Sequence, residues 1–317
     1  MHIEHVPVLL NEVLEYLDPK DGHAYVDATF GGGGYSRAIL ERAAGSRVVA
    51  IDRDPAAAER AKDFVHRYGP RFAFYLTNFG NISEILESCD YSGIVFDFGV
   101  SSFQLEDGAR GFSFQNDGPL DMRMGAVGET IAPSANAHPA NITAADVVNS
   151  YSVQDLTRII KTYGDEPHAK KISDAIVRRR RDHPILTTLE LANIVRSVVR
   201  HSGAIDPATK TFQALRIFVN DELREIQCAL DSIASDVVAR QLRQISVITV
   251  SFHSLEDRIV KNWWTSHNRS HACDRGNTSP RAFSITQLHS RVITPSTDEL
   301  RANPRCRSAR MRAFSFC

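Results

Sequence analysis

The residues best suited to chemistry in this chain begin with Asp27-Ala28-Thr29-Phe30-Gly31-Gly32-Gly33-Gly34, an acid just ahead of four consecutive glycines. Glycine there lets the backbone approach a ligand closely, because a Cβ would collide. A helix opening after the run offers free N–H groups. Asp52 stands 19 residues after Gly33, where a ribose diol would be held. A dinucleotide fingerprint needs G-x-G-x-x-G. Counted from Gly31 its third glycine falls on Ser36, and counted from Gly32 it falls on Arg37, so the pattern fails twice. Asp27 would also repel a pyrophosphate but could pair with a cation. S-adenosylmethionine carries an ammonium and a sulfonium and no phosphate, so the electrostatics favour this methyl donor.

A further acid sits in Phe96-Asp97-Phe98-Gly99-Val100-Ser101-Ser102. Open α/β sheets bind ligands beyond the carboxyl ends of their strands. A carboxylate there can accept a hydrogen bond from an exocyclic amine, whose lone pair must leave ring conjugation before it is methylated. The plainer role for Asp97 is a cap on the following turn. His253 is a second candidate acceptor, or else a buried imidazole held by backbone. Glu256, Asp257 and Arg258 read equally as a surface ion-pair cluster or a substrate clamp. His267, His271 and Cys273 lack the paired spacing of a zinc site, so no metal is expected.

The elements that must position these residues alternate. Leu9, Leu10, Val13, Leu14 and Leu17 have helical spacing ahead of Pro19. Strands are predicted over 25–29, 48–52, 72–76 and 94–96, with helices from about Ser36 and from Pro55. Short apolar strands alternating with helices predict a mostly parallel sheet covered on both faces. After about Asp107 the rhythm breaks: 108–150 has poor periodicity, 155–201 reads as helical, and one long helix is expected over 212–230. A strand returns at 247–250. The predicted organisation is an α/β domain, 1–108 and 211–317, interrupted by a helical insertion over 109–210.

Length and apolar content, 317 residues and 43%, suit a globular chain with a sizeable core. Its net charge of −1 hides an asymmetry. Residues 1–108 hold 9 basic and 17 acidic side chains, while 151–216 hold 12 and 7, including Arg178-Arg179-Arg180-Arg181. The tail adds Arg301, Arg305, Arg307, Arg310 and Arg312 with no acid after Glu299. A cationic insertion and tail could face phosphate, or a helical arginine run could simply solvate an exposed face. Phe112, Phe114, Trp263 and Trp264 could stack on bases, with core packing as the default. Five cysteines without a C-x-x-C pair, no signal-like N-terminus and no apolar run of membrane length predict a cytoplasmic, non-membrane protein.

Several collinear blocks give the chain a specific resemblance. They are His5-x-Pro7-Val8-Leu9-Leu10-x-Glu12, the Asp27–Gly34 run, Ile51-Asp52-Arg53-Asp54, Asp97–Ser102, Arg110-Gly111-Phe112-Ser113-Phe114, Gly118–Met124, Thr211–Ile217, Ser251–Arg258 and Asn303-Pro304-Arg305. Together they resemble the bacterial 16S rRNA (cytosine-N4)-methyltransferase family, RsmH, also called MraW. The resemblance implies a class I, Rossmann-like S-adenosylmethionine-dependent methyltransferase fold with an inserted helical domain. It implies N4-methylation of a cytosine in the decoding region of 16S rRNA, within the small ribosomal subunit. The family's cofactor positions fall on Gly33, Gly34, Tyr35, Asp52, Phe79, Asp97 and Gln104, with Asp27 beside them. Asp52 would take the ribose and Phe79 would pack near the adenine. Asp97 and His253 are the catalytic candidates. Arg110, Arg123, Lys170, Arg178, Arg179 and Arg216 are the residues assigned to RNA, although Asp121 and Arg123 could equally serve to hold the insertion in place.

The chain also departs from the family. Tyr35 stands where the family usually has His, Phe103 where it usually has Pro, and Ala239–Arg243 where a Pro-Gly-Gly turn is usual. A ribosome-assembly protein that keeps the fold without turnover, or a nicotinamide-dependent oxidoreductase on the same sheet, would be the alternative functions. Titration with S-adenosylmethionine and with NAD separates the last.

Overall fold

The computed structural model describes residues 7–125, 141–200, 203, 205–242, 244–273 and 285–316. The chain divides into two compact units, Met1–Gly99 with Leu223–Cys317, and Val100–Glu222. This division lies outside the expected 109–210 at both ends. Val100 and Leu105 at one end, and Phe212, Leu215 and Phe218 at the other, belong to the apolar cluster of the second unit.

In chain order the first unit begins with α1 (Leu10–Leu17), β1 (Ala24–Asp27), α2 (Gly34–Arg42), β2 (Arg47–Asp52), α3 (Pro55–Tyr68), β3 (Phe72–Leu76), α4 (Ile82–Leu86) and β4 (Gly93–Asp97). The second unit contributes α5 (Ser102–Glu106), α6 (Ala144–Ser150), α7 (Val153–Gly164), α8 (Ala169–Arg179), α9 (Thr188–Val198) and α10 (Thr209–Asn220). The chain continues with α11 (Glu222–Arg240), β5 (Ile245–Ser251), α12 (Ser254–Cys273), β6 (Ile285–Gln287), α13 (Thr297–Ala302) and β7 (Arg310–Phe316).

The seven strands form one sheet, ordered β3-β2-β1-β4-β5-β7-β6. β1 to β5 run parallel, while β7 is antiparallel to both β5 and β6. Alternate side chains feed two cores. Val26, Ile51, Ile94, Phe96 and Val247 lie in one cluster, and Tyr25, Val48, Ala50, Val95 and Ile248 in the other. Both faces are therefore buried, and the strands read as continuous apolar runs. Among the described residues no helix is long and apolar enough to cross a membrane.

Three expectations need correcting. The single helix expected over 212–230 is two helices, because Asp221 between them adopts a left-handed conformation, φ 51°. The basic tail is not an appendage: Met311, Ala313, Phe314 and Phe316 alternate into the two cores, making β7 an interior strand. The aperiodic stretch 108–150 contains α6, whose start carries a Thr143–Asp146 capping box. Residues 126–140 of that stretch, and the side chains of His271 and Cys273, lie outside the described residues.

The second unit has its own core, with Leu156, Ile160, Ile172, Ile176, Leu191, Leu215 and Phe218 among its members. Asn220 fastens the 119–124 segment to α10. Its Oδ1 accepts from Met124 N at 2.9 Å, and its Nδ2 donates to Met122 O at 2.7 Å and Arg216 O at 2.9 Å. Phe112 is buried there, and Phe114 meets Phe212 edge-on at 4.8 Å, so both aromatics are core residues. In the first unit Trp263 is likewise buried and donates to Asp231 Oδ1 at 2.8 Å.

Candidate functional site

The acids singled out in the sequence close three neighbouring strands of the first unit. Asp27 ends β1, Asp52 ends β2 and Asp97 ends β4. β1 lies between β2 and β4, so the strand order reverses direction here, the position where open α/β sheets bind ligands.

The turn after β1 is tightly built. Gly31 and Gly33 have φ of 54° and 75°, a region that favours glycine. A Cβ on Gly33 would stand 2.3 Å from Phe64 Cζ and 2.7 Å from Phe30, and one on Gly34 would stand 2.2 Å from Pro7 Cγ. The glycines therefore admit two aromatic rings and the Pro7 segment to the turn, and their need is set by protein packing as much as by a ligand. Gly31 N donates to Asp52 Oδ2 at 2.7 Å, and Asp54 N donates to Asp52 Oδ1 at 2.8 Å. These two bonds aim the Asp52 carboxylate and leave lone pairs for a diol.

Asp27 does not face a ligand. It is fully buried, and its Oδ2 accepts from Ser36 N at 3.1 Å and Ser36 Oγ at 2.7 Å, while Oδ1 accepts from Thr29 N at 3.3 Å. The expected pairing of Asp27 with a cation is thereby corrected: this acid staples the glycine turn to the first turn of α2. Ser36 and Thr29, which make the staple, were not recognised from the sequence; the D-x-T spacing was the available signal. Burial pushes the Asp27 carboxyl up to about 6, against the pull of the Ser36 and Thr29 hydrogen bonds.

Asp97 is the half-buried member of this acid group. Its N donates to Thr29 Oγ1 at 2.7 Å, so the Asp27 turn also fixes the end of β4. Its Oδ1 is buried and accepts no hydrogen bond among the described residues. Burial holds the Asp97 carboxyl well above the usual carboxylate range, and the charges of Asp27 and Glu256 add to the effect. An unpartnered acceptor amid like charges fits a cationic ligand or an N–H donor and disfavours a pyrophosphate. That donor set, with Asp52 beside it, fits S-adenosylmethionine.

Tyr35 plays a different part from the one its position suggested. It is 3% exposed, and its hydroxyl donates to Val8 O at 2.5 Å. The polar edge of the ring is thus directed at the chain and not at a ligand. Leu9 N donates to Glu299 Oε1 at 2.6 Å, although Leu9 sits at a strained φ of 53°. Two tethers therefore hold the 7–9 segment against the glycine turn. Tyr35→Phe is expected to lower stability by about 1–3 kcal/mol, the effect of leaving a buried carbonyl unpaired. It should also speed amide exchange at Leu9 selectively, as read by hydrogen-exchange mass spectrometry. Unchanged exchange at Leu9 would contradict the tether.

Phe79 opens the turn after β3 and is half-buried, its ring 5.8 Å from Phe96 and 5.9 Å from Phe98. Gln104 belongs to the second unit, where its Oε1 accepts from Ser101 N at 2.9 Å in a capping box that starts α5. His253 Nδ1 accepts from Glu256 N at 3.4 Å, and Glu256 Oε2 accepts from Phe252 N and His253 N at 2.7 and 3.2 Å. His253 and Glu256 thus make a reciprocal cap at the start of α12, and His253 Nε2 lies 3.1 Å from the buried Glu256 Oε1. Glu256 and Asp257 are buried, so they are not a surface cluster.

The basic residues assigned to RNA separate into two groups. Arg123 makes a two-pronged pair with Asp121, 2.8 and 2.6 Å, and Arg216 makes another with Glu222, 2.8 and 2.9 Å. Arg110 donates to the carbonyls of Arg123 and Met124. Half-buried forked pairs are strong and specific, and removing one partner strands the other charge. These three are therefore reassigned to holding the second unit together. Lys170 pairs with Asp174 on the surface of α8 at 2.7 Å, Arg178 is exposed, and Arg179 Nη1 lies 2.7 Å from His183 Nδ1.

The raised carboxyls have a consequence for stability. A carboxyl with a folded-state value above its unfolded one gives stability that is full below the unfolded value and lost as pH rises through the folded one. For Asp27 that window runs from about 4 to about 6. The cofactor-free protein is therefore expected to melt at a lower temperature at pH 7 than at pH 5, by calorimetry. Asp27→Asn should flatten this slope.

A mostly parallel seven-stranded sheet with its β7 reversed, and acids closing β1, β2 and β4, define a class I methyltransferase. The chain belongs to the MraW methylase family, whose profile matches residues 2–317. Its relatives include the ribosomal RNA small subunit methyltransferase H of Wolbachia sp. subsp. Drosophila simulans (strain wRi), 46% identical over 314 residues, covering 98% of each chain. The protein of that name from Acidiphilium cryptum (strain JF-5) is 45% identical over 325 residues, covering 98% of this chain and 97% of the relative. That from Ehrlichia chaffeensis (strain ATCC CRL-10679 / Arkansas) is 45% identical over 317 residues, covering 98% and 99%.

Proposed function

We propose that this methyltransferase modifies N4 of a cytosine in the decoding region of 16S rRNA, within the small ribosomal subunit in the cytoplasm. Relatives above 40% identity along nearly their whole length, each named a small-subunit rRNA methyltransferase, support the substrate class. The observation that carries the chemistry is Asp97 Oδ1, a buried acceptor with no partner among the described residues.

S-adenosylmethionine, when bound, supplies an electrophilic methyl on a cationic sulfur. Asp52 would hold its ribose, the Gly31–Gly34 turn its amino-acid end, and Phe79 would wall its adenine. A cation beside Asp97 favours the ionised carboxylate. Asp97 Oδ1 then accepts a hydrogen bond from the exocyclic amine of the target base and turns the amine's lone pair out of conjugation. Methyl transfer would break the methyl's bond to sulfur and leave a neutral thioether, S-adenosylhomocysteine, while Oδ1 would take the proton that N4 loses. A carboxyl whose affinity for protons is raised by burial suits that role. Alignment of the two reactants would supply most of the acceleration, on the order of 7–11 kcal/mol. The base must leave its stack, which costs a few kcal/mol and less in a strained loop.

The second unit is the proposed RNA-recognition domain. Arg178 and Arg181 are exposed near the end of α8, with Arg179 beside them. Mass spectrometry of 16S rRNA from a strain lacking the gene tests the whole reading. It should show one cytosine lighter by one methyl, and an unchanged methylation pattern would overturn it.

A further inference from the structure

The C-terminal segment carries a second cationic surface, in the first unit. Arg305 and Arg307 lie in a short 3-10 turn, Pro304–Ser308, and Arg310 opens β7; all three are exposed. The turn is rigidly built. Asn303 Oδ1 accepts from Arg305 N at 3.2 Å, Ala309 N donates to Cys306 O at 2.8 Å, and Cys306 is buried in the core. Among the described residues no carboxylate stands within ion-pair distance of Arg307. Asp257 holds Arg312 with two bonds, 2.7 and 3.2 Å, and Arg310 with one at 3.3 Å, so Arg310 keeps about half of its side chain exposed.

Strand register places this surface beside the acid group. Asp97 pairs with Val250, and Val250 pairs with Met311. Neighbouring strands lie about 4.8 Å apart. Met311 is thus about 10 Å from Asp97, and Arg310 follows at the same end of the sheet. In an antiparallel strand it is the beginning, not the end, that reaches the ligand-binding edge of a parallel sheet. That reversal delivers Arg310 and the preceding turn to the mouth of the site.

We propose that Arg305, Arg307 and Arg310 form a phosphate-binding surface that grips the RNA backbone flanking the target nucleotide. The proposal rests on the rRNA reading above. A nucleotide drawn out of its stack brings its own two phosphates with it, and arginines at the end of the sheet that carries Asp97 would hold them. An exposed arginine fork suits phosphate oxygens. Carboxylates at the strand ends repel the RNA backbone, and a cationic edge beside them offsets that repulsion.

The test uses the full-length protein, S-adenosylmethionine and small subunits from a strain lacking the gene. Two variants serve: the triple Arg305→Ala, Arg307→Ala, Arg310→Ala, and the double Arg305→Ala, Arg307→Ala, which leaves Asp257 both of its arginines. Cofactor affinity is the check on folding. The triple is expected to need roughly tenfold more subunits for half-saturation, and its log affinity against log salt should be shallower by about 2, as for three single-strand phosphates. The double should show about two thirds of that change in slope. Wild-type half-saturation and slope in both variants would overturn the proposal. Failure of the wild-type protein to methylate these subunits would overturn the rRNA reading, and the proposal with it.

Discussion

Asp97→Asn is expected to slow methyl transfer to small subunits by about 10²–10⁴-fold, the range for losing a positioned proton acceptor. The substitution keeps the size of the side chain and the backbone bond from Asp97 N to Thr29 Oγ1, so the end of β4 stays in place. On the proposed mechanism it removes the atom that would take the proton and the charge that would polarise the amine. Asp52 and the glycine turn remain, so cofactor binding should fall far less than the rate of transfer does. Single-turnover transfer of a labelled methyl, beside a calorimetric cofactor titration, separates the two effects. Near-normal turnover with normal binding would show that Asp97 is not the acceptor.

Asn220→Ala should remove about 3 kcal/mol or more of stability from the second unit. Three hydrogen bonds vanish together, and Met124 N and Met122 O are left inside the protein without Asn220. Met122 sits at φ 65°, a conformation that a non-glycine residue keeps only when its surroundings enforce it. Releasing Met122 should loosen the 119–124 segment, including the Asp121–Arg123 pair. Urea denaturation of the full-length protein measures the loss. A change below about 1 kcal/mol, the net worth of one ordinary hydrogen bond, would contradict this role.

The alternating part of the fold was legible because short apolar strands and capped helices leave local signals. Asp54-Pro55, for instance, announces α3 by its cap and first-turn proline. What escaped was decided by distant contacts. Arg310–Phe316 reads as a basic tail, yet its alternate apolar residues fit both faces of a sheet whose edge becomes visible only in three dimensions. Asp221 breaks a helix that periodicity runs straight through. The acids of the site were legible as positions at strand ends, but their division of labour was not. Asp27 and Asp97 look alike in sequence, and only burial and partners show that one staples a turn while the other has an unpartnered oxygen. The same holds for the arginines: residue type marks Arg123 and Arg216 as phosphate ligands, and the acids Asp121 and Glu222 engage them first.

If Asp97 delivers N4 of an rRNA cytosine to a methyl donor, the methylated nucleoside itself reports it. The most direct measurement incubates purified full-length protein with S-adenosylmethionine carrying a heavy methyl and small subunits from a strain lacking the gene, then digests the 16S rRNA to nucleosides for mass spectrometry. Heavy N4-methylcytidine is expected with the wild-type protein, and a yield lower by at least about a hundredfold with Asp97→Asn. A heavy methyl on another base, on the ribose or on C5 of cytosine would contradict it, as would undiminished product from the variant.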